Sequence, residues 1–588
     1  MAQHTRHVAF TASAVGVAAV VLLLLTCTAC TVSALHAESR EVSRTQLSRV
    51  LEDDMLDDDT VVEHTLTDEQ RSNTLTVLQA FATATPSLGW TGDNFCAWDG
   101  VWCFGSSVGV SLSGVAEAGT LPELPDSVDY SQVMLQTIRY DHAKLITGTL
   151  PASWGRLQTV EIVSLEQMAV SGTLPQEWSS MTSLQELHVA ATSISGTLPV
   201  EWRWMRSLRR LFMEETQVGG SLPPQWRAMR SLQSISLVRT QISGVLPPEW
   251  GTMSSLRSVF ISDTQVSGSL PAQWSSMPRL EYVALSGTEV SGTLPPEWGS
   301  MTSFHSLFIR DTRVSGSLPA EWGSMPRLQY LNVSGTEVSG TLPPEWGSMA
   351  SLARVFLADT RVSGTLPPEW GSLSTLRVLT LSATQVSGTL PPEWGSMRAL
   401  EWVTLSDTHI SGTLPPEWGS MASVSHIDLR RNALQGSFPD LWATMAQIRT
   451  VALSGNNFSG CLPQSWLEMR DAAVVVDDRH RAAHCPTAYP RKQESTEQPL
   501  SETPSRATSP SAAECQVANC LRCHVDSATV CVVCSPRHTL TVWSTCQRTD
   551  TRAVSSWAVV VAATVNAIVI LILSTAIVTV AAVAVGLV

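Results

Sequence analysis

The sequence lacks what nucleic-acid binders and most enzymes display. It has no excess of positive charge: the formal net charge is −15 over 588 residues, and a phosphate-binding surface needs a basic face. Nucleic acid is therefore excluded as a partner. There is no G-x-S-x-G, no H-E-x-x-H and no glycine-rich phosphate loop, so the nucleophile elbow, the zinc-peptidase helix and the P-loop are all missing. The thirteen histidines are scattered, and His188 and His426 read as surface residues of strands. No catalytic residue, metal or cofactor is expected, and the chain does not read as an enzyme. The acidic run "EDDMLDDD" at 52–59 has neither the glycine turn nor the spaced ligands of a calcium loop. It reads as a solvated stretch within an acidic, mobile segment at 38–73.

Charge is also missing from both apolar ends. Arg6, an apolar run through Leu25 and small residues after it read as a secretory signal over 1–37, cleaved after Ala34 or Ala37, with a retained anchor as the alternative. From Trp557 to Val588 no residue is charged. That tail is long enough for a transmembrane helix, but no Lys or Arg follows to hold a cytoplasmic end. Small residues before an apolar tail also signal glycolipid attachment, with Asp550, Ala553, Ser555 and Ser556 as candidate sites. The glycolipid is the favoured reading. Either anchor puts the chain on the extracellular face of a plasma membrane.

What is present is repetition. The phrase "SGTLPPEWGSM" stands at 291–301 and again at 339–349, and tryptophan recurs at one constant step from Trp154, Trp178 and Trp202 through to Trp466. A fixed period of roughly 20–29 residues marks leucine-rich repeats. In "MTSFHSLFIRDTRVSGSLPAEWGS" (301–324), Leu307 and Ile309 alternate inward while Ser306, Phe308 and Arg310 point out. About fourteen 24-residue coils over 126–470 then stack into a solenoid roughly 65 Å long. A parallel sheet is expected on the concave side, and irregular or 3-10 structure on the convex side. Gly316 is expected to make the bend after the strand, Pro319 to stiffen the crossover, and Trp322 to fill the coil. Thr264, Thr288, Thr312, Thr336 and Thr360, then Asn432 and Asn456, fill the slot before the bend. They are expected to bond backbone groups of the adjacent coil as an inner ladder.

A doubled period overlies the first. Phe212, Phe260, Phe308 and Phe356 fall two coils apart, with Tyr282, Tyr330 and Trp402 on a neighbouring outward column. Solenoids of this kind bind through the concave face, so this row is the candidate contact surface for a protein or glycan. Copying by tandem duplication explains the spacing equally well.

The array needs caps. Residues 74–125 read as the N-terminal cap, with a Cys96–Cys103 disulfide; Cys461 and Cys485 close the other end over 471–485. Residues 486–514 are rich in Pro, Ser and Thr and read as a stalk. Cys515, Cys520, Cys523, Cys531, Cys534 and Cys546 form a cysteine-rich module at 515–546. The paired C-x-x-C spacing suits zinc, but behind a signal peptide three disulfides are favoured, with fifteen pairings open. Asn332-Val-Ser and Asn457-Phe-Ser are glycosylation sequons.

The order of signal, cap, "SGTLPPEW" repeats, Ser/Thr/Pro stretch, cysteine module and apolar tail resembles the promastigote surface antigen family of kinetoplastid parasites. The resemblance covers nearly the whole chain. It implies an abundant, usually glycolipid-anchored coat protein linked to host-cell attachment and complement resistance. Its partner would be a host or neighbouring cell-surface protein or glycan.

Overall fold

The computed structural model describes residues 66–469 and 472–480, and the backbone of four short strands between 520 and 548. The chain divides into two compact units, Met1–Thr487 and Ala488–Val588. The signal segment, the 52–59 acidic run, Cys485, the stalk, Cys515, Asp550, Ala553, Ser555, Ser556 and the apolar tail lie outside the described residues. Among the described residues no helix is long and apolar enough to cross a membrane.

A helix over Asp68–Ala84 opens the described chain. It begins with a capping box: Thr67 Oγ1 accepts from the Gln70 N–H, and the Gln70 side chain accepts from the Thr67 N–H. Val77, Leu78 and Phe81 are fully buried. The Phe81 ring lies against Tyr140 and Trp154, with centroids 6.2 and 5.9 Å away. The helix thus covers apolar groups that the first coil would leave open. The expected Cys96–Cys103 disulfide is present.

From there the coils repeat. Ser306–Phe308 pairs in parallel with Tyr282–Ala284 on one side and Tyr330–Asn332 on the other. This is part of a 17-stranded sheet in which only the Val101–Phe104 strand of the cap runs antiparallel. Leu307 and Ile309 are fully buried, as the alternation predicts. Each coil then passes through a 3-10 turn such as Ala320–Ser324, which follows Pro319 and carries Trp322 inward.

Two expectations about the coil are corrected. Gly316 does not make the bend after the strand; Asp311, with φ 55°, does so. Gly316 lies inside a second strand, Arg313–Ser317, at φ 77°, a conformation that costs glycine little. These second strands form their own 13-stranded parallel sheet, in addition to the expected 3-10 turns. Stacked identical coils present the same backbone groups at every step, and those groups pair.

The ladder is corrected too. Thr312 Oγ1 donates to the Ile309 carbonyl of its own coil at 2.8 Å. Thr264, Thr288, Thr336 and Thr360 do the same within their own coils. Only the asparagines reach across. Asn432 donates to the Leu405 carbonyl at 2.7 Å and accepts from the Ile410 N–H at 3.0 Å. Asn456 donates to Leu429 and Leu453 at 2.8 Å each. At this slot the threonine hydroxyl sits beside its own coil's carbonyl, whereas a carboxamide has donors and an acceptor at longer reach.

The tryptophan does more than fill space. Trp322 lies between Trp298 and Trp346, each ring 6.4 Å away and nearly parallel. Its Nε1 donates to the Pro295 carbonyl of the preceding coil at 2.9 Å. The same bond recurs along the array, from Trp178 to Pro151 through Trp466 to Pro439. A leucine in this slot could not link coils in that way.

At the far end Cys461 is disulfide-bonded. In the second unit Cys520–His524 pairs antiparallel with Ser527–Cys534, setting Cys520 opposite Cys534 and Cys523 opposite Cys531. His538–Leu540 pairs with Cys546–Arg548.

Candidate concave binding face

Strand register arranges the outward residues of the first sheet in columns. One column reads Ser258, Tyr282, Ser306, Tyr330, Arg354, Val378, Trp402; its neighbour reads Phe260, Ala284, Phe308, Asn332, Phe356, Thr380, Thr404. From Ser258 to Phe356, each ring has smaller residues beside it in its column, with Arg354 the one long neighbour. Large and small therefore alternate as on a checkerboard. Phe260, Tyr282, Phe308, Tyr330, Phe356 and Trp402 are half-buried, so each keeps a solvent-facing portion.

The rings also touch. Phe308 and Tyr330 have centroids 5.9 Å apart, and the Arg354 guanidinium lies 4.8 Å from the Tyr330 ring centre. Tyr282 packs on His305 at 5.1 Å, and Trp402 stacks on His426 at 3.9 Å. Burial, together with the charge of Arg449, lowers the pKa of His426 and favours its neutral ring on the indole. Asn332 sits between Phe308 and Phe356, and its Oδ1 accepts from the Ser334 N–H at 3.1 Å. Asn457 is exposed on a strand of the second sheet.

Phe212 departs from the expectation. It is buried, with the His188 ring edge-on at 4.9 Å. His188 is not a plain surface residue either. Its Nδ1 lies 3.1 Å from Glu166 and its Nε2 3.3 Å from Glu186, while Arg210 reaches Glu186 at 2.6 Å. Burial alone would push the His188 pKa down, but the two carboxylates outweigh it and raise the pKa to about 9. Hydrogen bonding to His188 lowers both carboxylates, against the opposing effect of burial. Glu214 is pushed up by burial. Phe212 therefore closes over a charged cluster. Glu186 comes from the same strand as His188 and Glu166 from the preceding coil, a pattern visible only once strand register is known.

A second feature escaped the sequence reading. The turn after each concave strand holds a left-handed residue, and in mid-array this alternates Asp263, Gly287, Asp311, Gly335, Asp359. A Cβ on Gly287 would lie 2.5 Å from Asp263 Oδ1. At Asp263 and Asp311 the aspartate leans over its neighbour's turn, where Gly287 and Gly335 leave room for it.

Stacked short parallel strands, 3-10 turns on the opposite side and a constant coil length define a leucine-rich-repeat solenoid. The leucine-rich-repeat family model matches residues 327–349. Among curated proteins, the surface membrane glycoprotein GP46/M-2 of Leishmania amazonensis is 47% identical over 103 residues, 17% of this chain and 22% of the relative. The match thus spans about a fifth of that relative's length. The resemblance read from the repeat phrase is borne out: the chain is similar to a leucine-rich-repeat surface antigen. Solved structures with the same fold include a TDR receptor, with TM-score 0.57, 22% identity and 63% of each chain covered. A leucine-rich-repeat protein of Leptospira interrogans has TM-score 0.51 and 22% identity, covering 62% of this chain and 94% of that one.

Proposed function

We propose that the chain is a non-enzymatic cell-surface protein that binds a protein or glycan through the concave columns and attaches its cell to a host. The observation that carries this is the cluster of half-exposed rings at Phe260, Tyr282, Phe308, Tyr330, Phe356 and Trp402, set on a rigid sheet. Exposed aromatic surface on a preorganised scaffold is what recognition uses, because little entropy is lost on contact. The name of the Leishmania relative, a surface membrane glycoprotein, supports the location. The expected glycolipid anchor, stalk and caps complete the proposal.

A second reading, a shielding coat linked to complement resistance, has its own support. The Asn332 sequon stands inside the ring row, and the alternation of large and small residues packs the face without any ligand. The test is binding of the secreted region, residues 38–550, to host cells and serum proteins. It runs beside a variant with Phe260, Phe308, Phe356, Tyr282 and Tyr330 changed to alanine. Saturable binding that the folded variant loses is the expected result. Binding that survives refutes the concave site, and absence of binding favours the coat.

A further inference from the structure

The solenoid carries a second charged surface, away from the concave columns. Along the array many arginines pair with a carboxylate one coil away. Arg210 pairs with Glu186, Arg239 with Glu215, Arg257 with Glu281, Arg313 with Glu289, Arg361 with Glu337, Arg377 with Glu401, and Arg431 with Asp407. On the 3-10 ridge over Val200–Trp204 and Pro224–Ala228 the rule breaks. Arg203 stands one coil from Arg227, and Arg206 one coil from Arg230. The one-coil step that joins arginine to an acid at strand and turn positions here joins arginine to arginine.

The result is a two-by-two guanidinium array. The indoles of Trp202 and Trp226, each directly preceding one of the arginines, have centroids 6.3 Å apart, which sets the step between the two rows. Arg203 lies in the turn and Arg206 just past its end, on either side of the buried Met205, and both reach solvent. Arg206, Arg227 and Arg230 are exposed and Arg203 is half-buried. Arg203 lies over the Trp204 ring at 5.1 Å, and that ring is itself 51% exposed. Among the described residues none of the four pairs with a carboxylate. Glu177, Glu201 and Glu249 on the same ridge bond to none of them.

Four like charges at this spacing repel one another, and an acidic chain had carboxylates at hand to relieve them. We infer that the array is an anion site, and that its ligand is a sulfated polysaccharide. The guanidinium fork matches the oxygens of a sulfate two at a time, and two coils present two such pairs in succession. The rest of the ridge argues against a stiff nucleic-acid duplex. From Glu297 through Glu321, Glu345, Glu369 and Glu393 to Glu417, every coil carries a glutamate on this ridge. A duplex with a charge every ~1.7 Å along a stiff axis would be driven onto them. A few sulfated sugars fit the array alone.

The test uses the full-length protein and heparin as the probe. Wild type is retained on immobilised heparin, and desulfated heparin does not hold it. The variant R203Q/R206Q/R227Q/R230Q loses at least tenfold in affinity, while R313Q/R361Q, which removes two paired arginines, changes it less than twofold. Because Arg206 and Arg230 are solvent-exposed, R206Q/R230Q serves as a second variant whose fold is not in question, with a loss of at least threefold. Failure of wild type to bind at low salt overturns the inference, as does equal retention of the quadruple variant. A dimer abolished by the same substitutions, without heparin retention, also overturns it. The array would then dock on the glutamate row of a second copy. None of these readouts involves the concave aromatics, so the two proposals stand or fall separately.

Discussion

Replacing Trp322 by phenylalanine tests whether the indole is a link between coils or only a plug. Trp322 is fully buried, stacked between two indoles at 6.4 Å, and bonded to the Pro295 carbonyl at 2.9 Å. Phenylalanine removes roughly 40 Å² of apolar surface, worth about 1 kcal/mol. The lost hydrogen bond adds about 1 kcal/mol. It adds no more, because Pro295 still accepts from the Trp298 backbone N–H at 3.2 Å. A residual void brings the sum to about 2–3 kcal/mol. In a stacked array this cost falls on the coils that share the interface. Native-state hydrogen exchange is therefore the assay, comparing amides of the 301–324 coil with those around Trp202. The former should lose about 2–3 kcal/mol of protection, the sum of these contributions, and the latter almost none. A loss of only about 1 kcal/mol, the area contribution alone, would refute the linking role.

Two further outcomes follow from the geometry. Asn456→Thr deprives the Leu434 N–H and the Leu429 carbonyl of their cross-coil partner, costing about 1–3 kcal/mol, whereas Thr312→Asn costs less; urea denaturation followed by circular dichroism compares them. For His188, whose folded pKa is raised to about 9, the stabilising charge is fully present below the ordinary histidine value and is lost as pH rises through 9. Its carboxylate partners, held low, contribute above the ordinary carboxylate range. The melting-temperature gap between wild type and His188→Gln should therefore be widest near pH 5–6 and close above pH 9.

The main strand, the inward pair Leu307 and Ile309, and the buried Trp322 were legible because period and alternation are local signals. The second sheet was not. Its "RVSGS" segment holds glycine and small polar residues that read as a bend, and it becomes a strand only because the next coil offers matching backbone groups. Threonine and asparagine occupy one slot in the sequence, yet side-chain reach separates a bond within the coil from a bond between coils. The burial of Phe212 and the clamp on His188 depend on which strands lie side by side. The unpaired arginines were visible as letters, but their lack of carboxylates appears only against the pairing seen in other coils.

The aspartate that overhangs a neighbouring glycine bears on how such a molecule can change length. Adding or removing a single coil within the 255–350 region would set ring beside ring on the face, and losing a glycine-turn coil or gaining an aspartate-turn coil would also set Asp beside Asp in the turns. Adding or removing two coils together restores every neighbour to the one it had. The array can therefore lengthen or shorten in pairs of coils without refitting any contact, and its descendants should differ in length by even numbers of repeats.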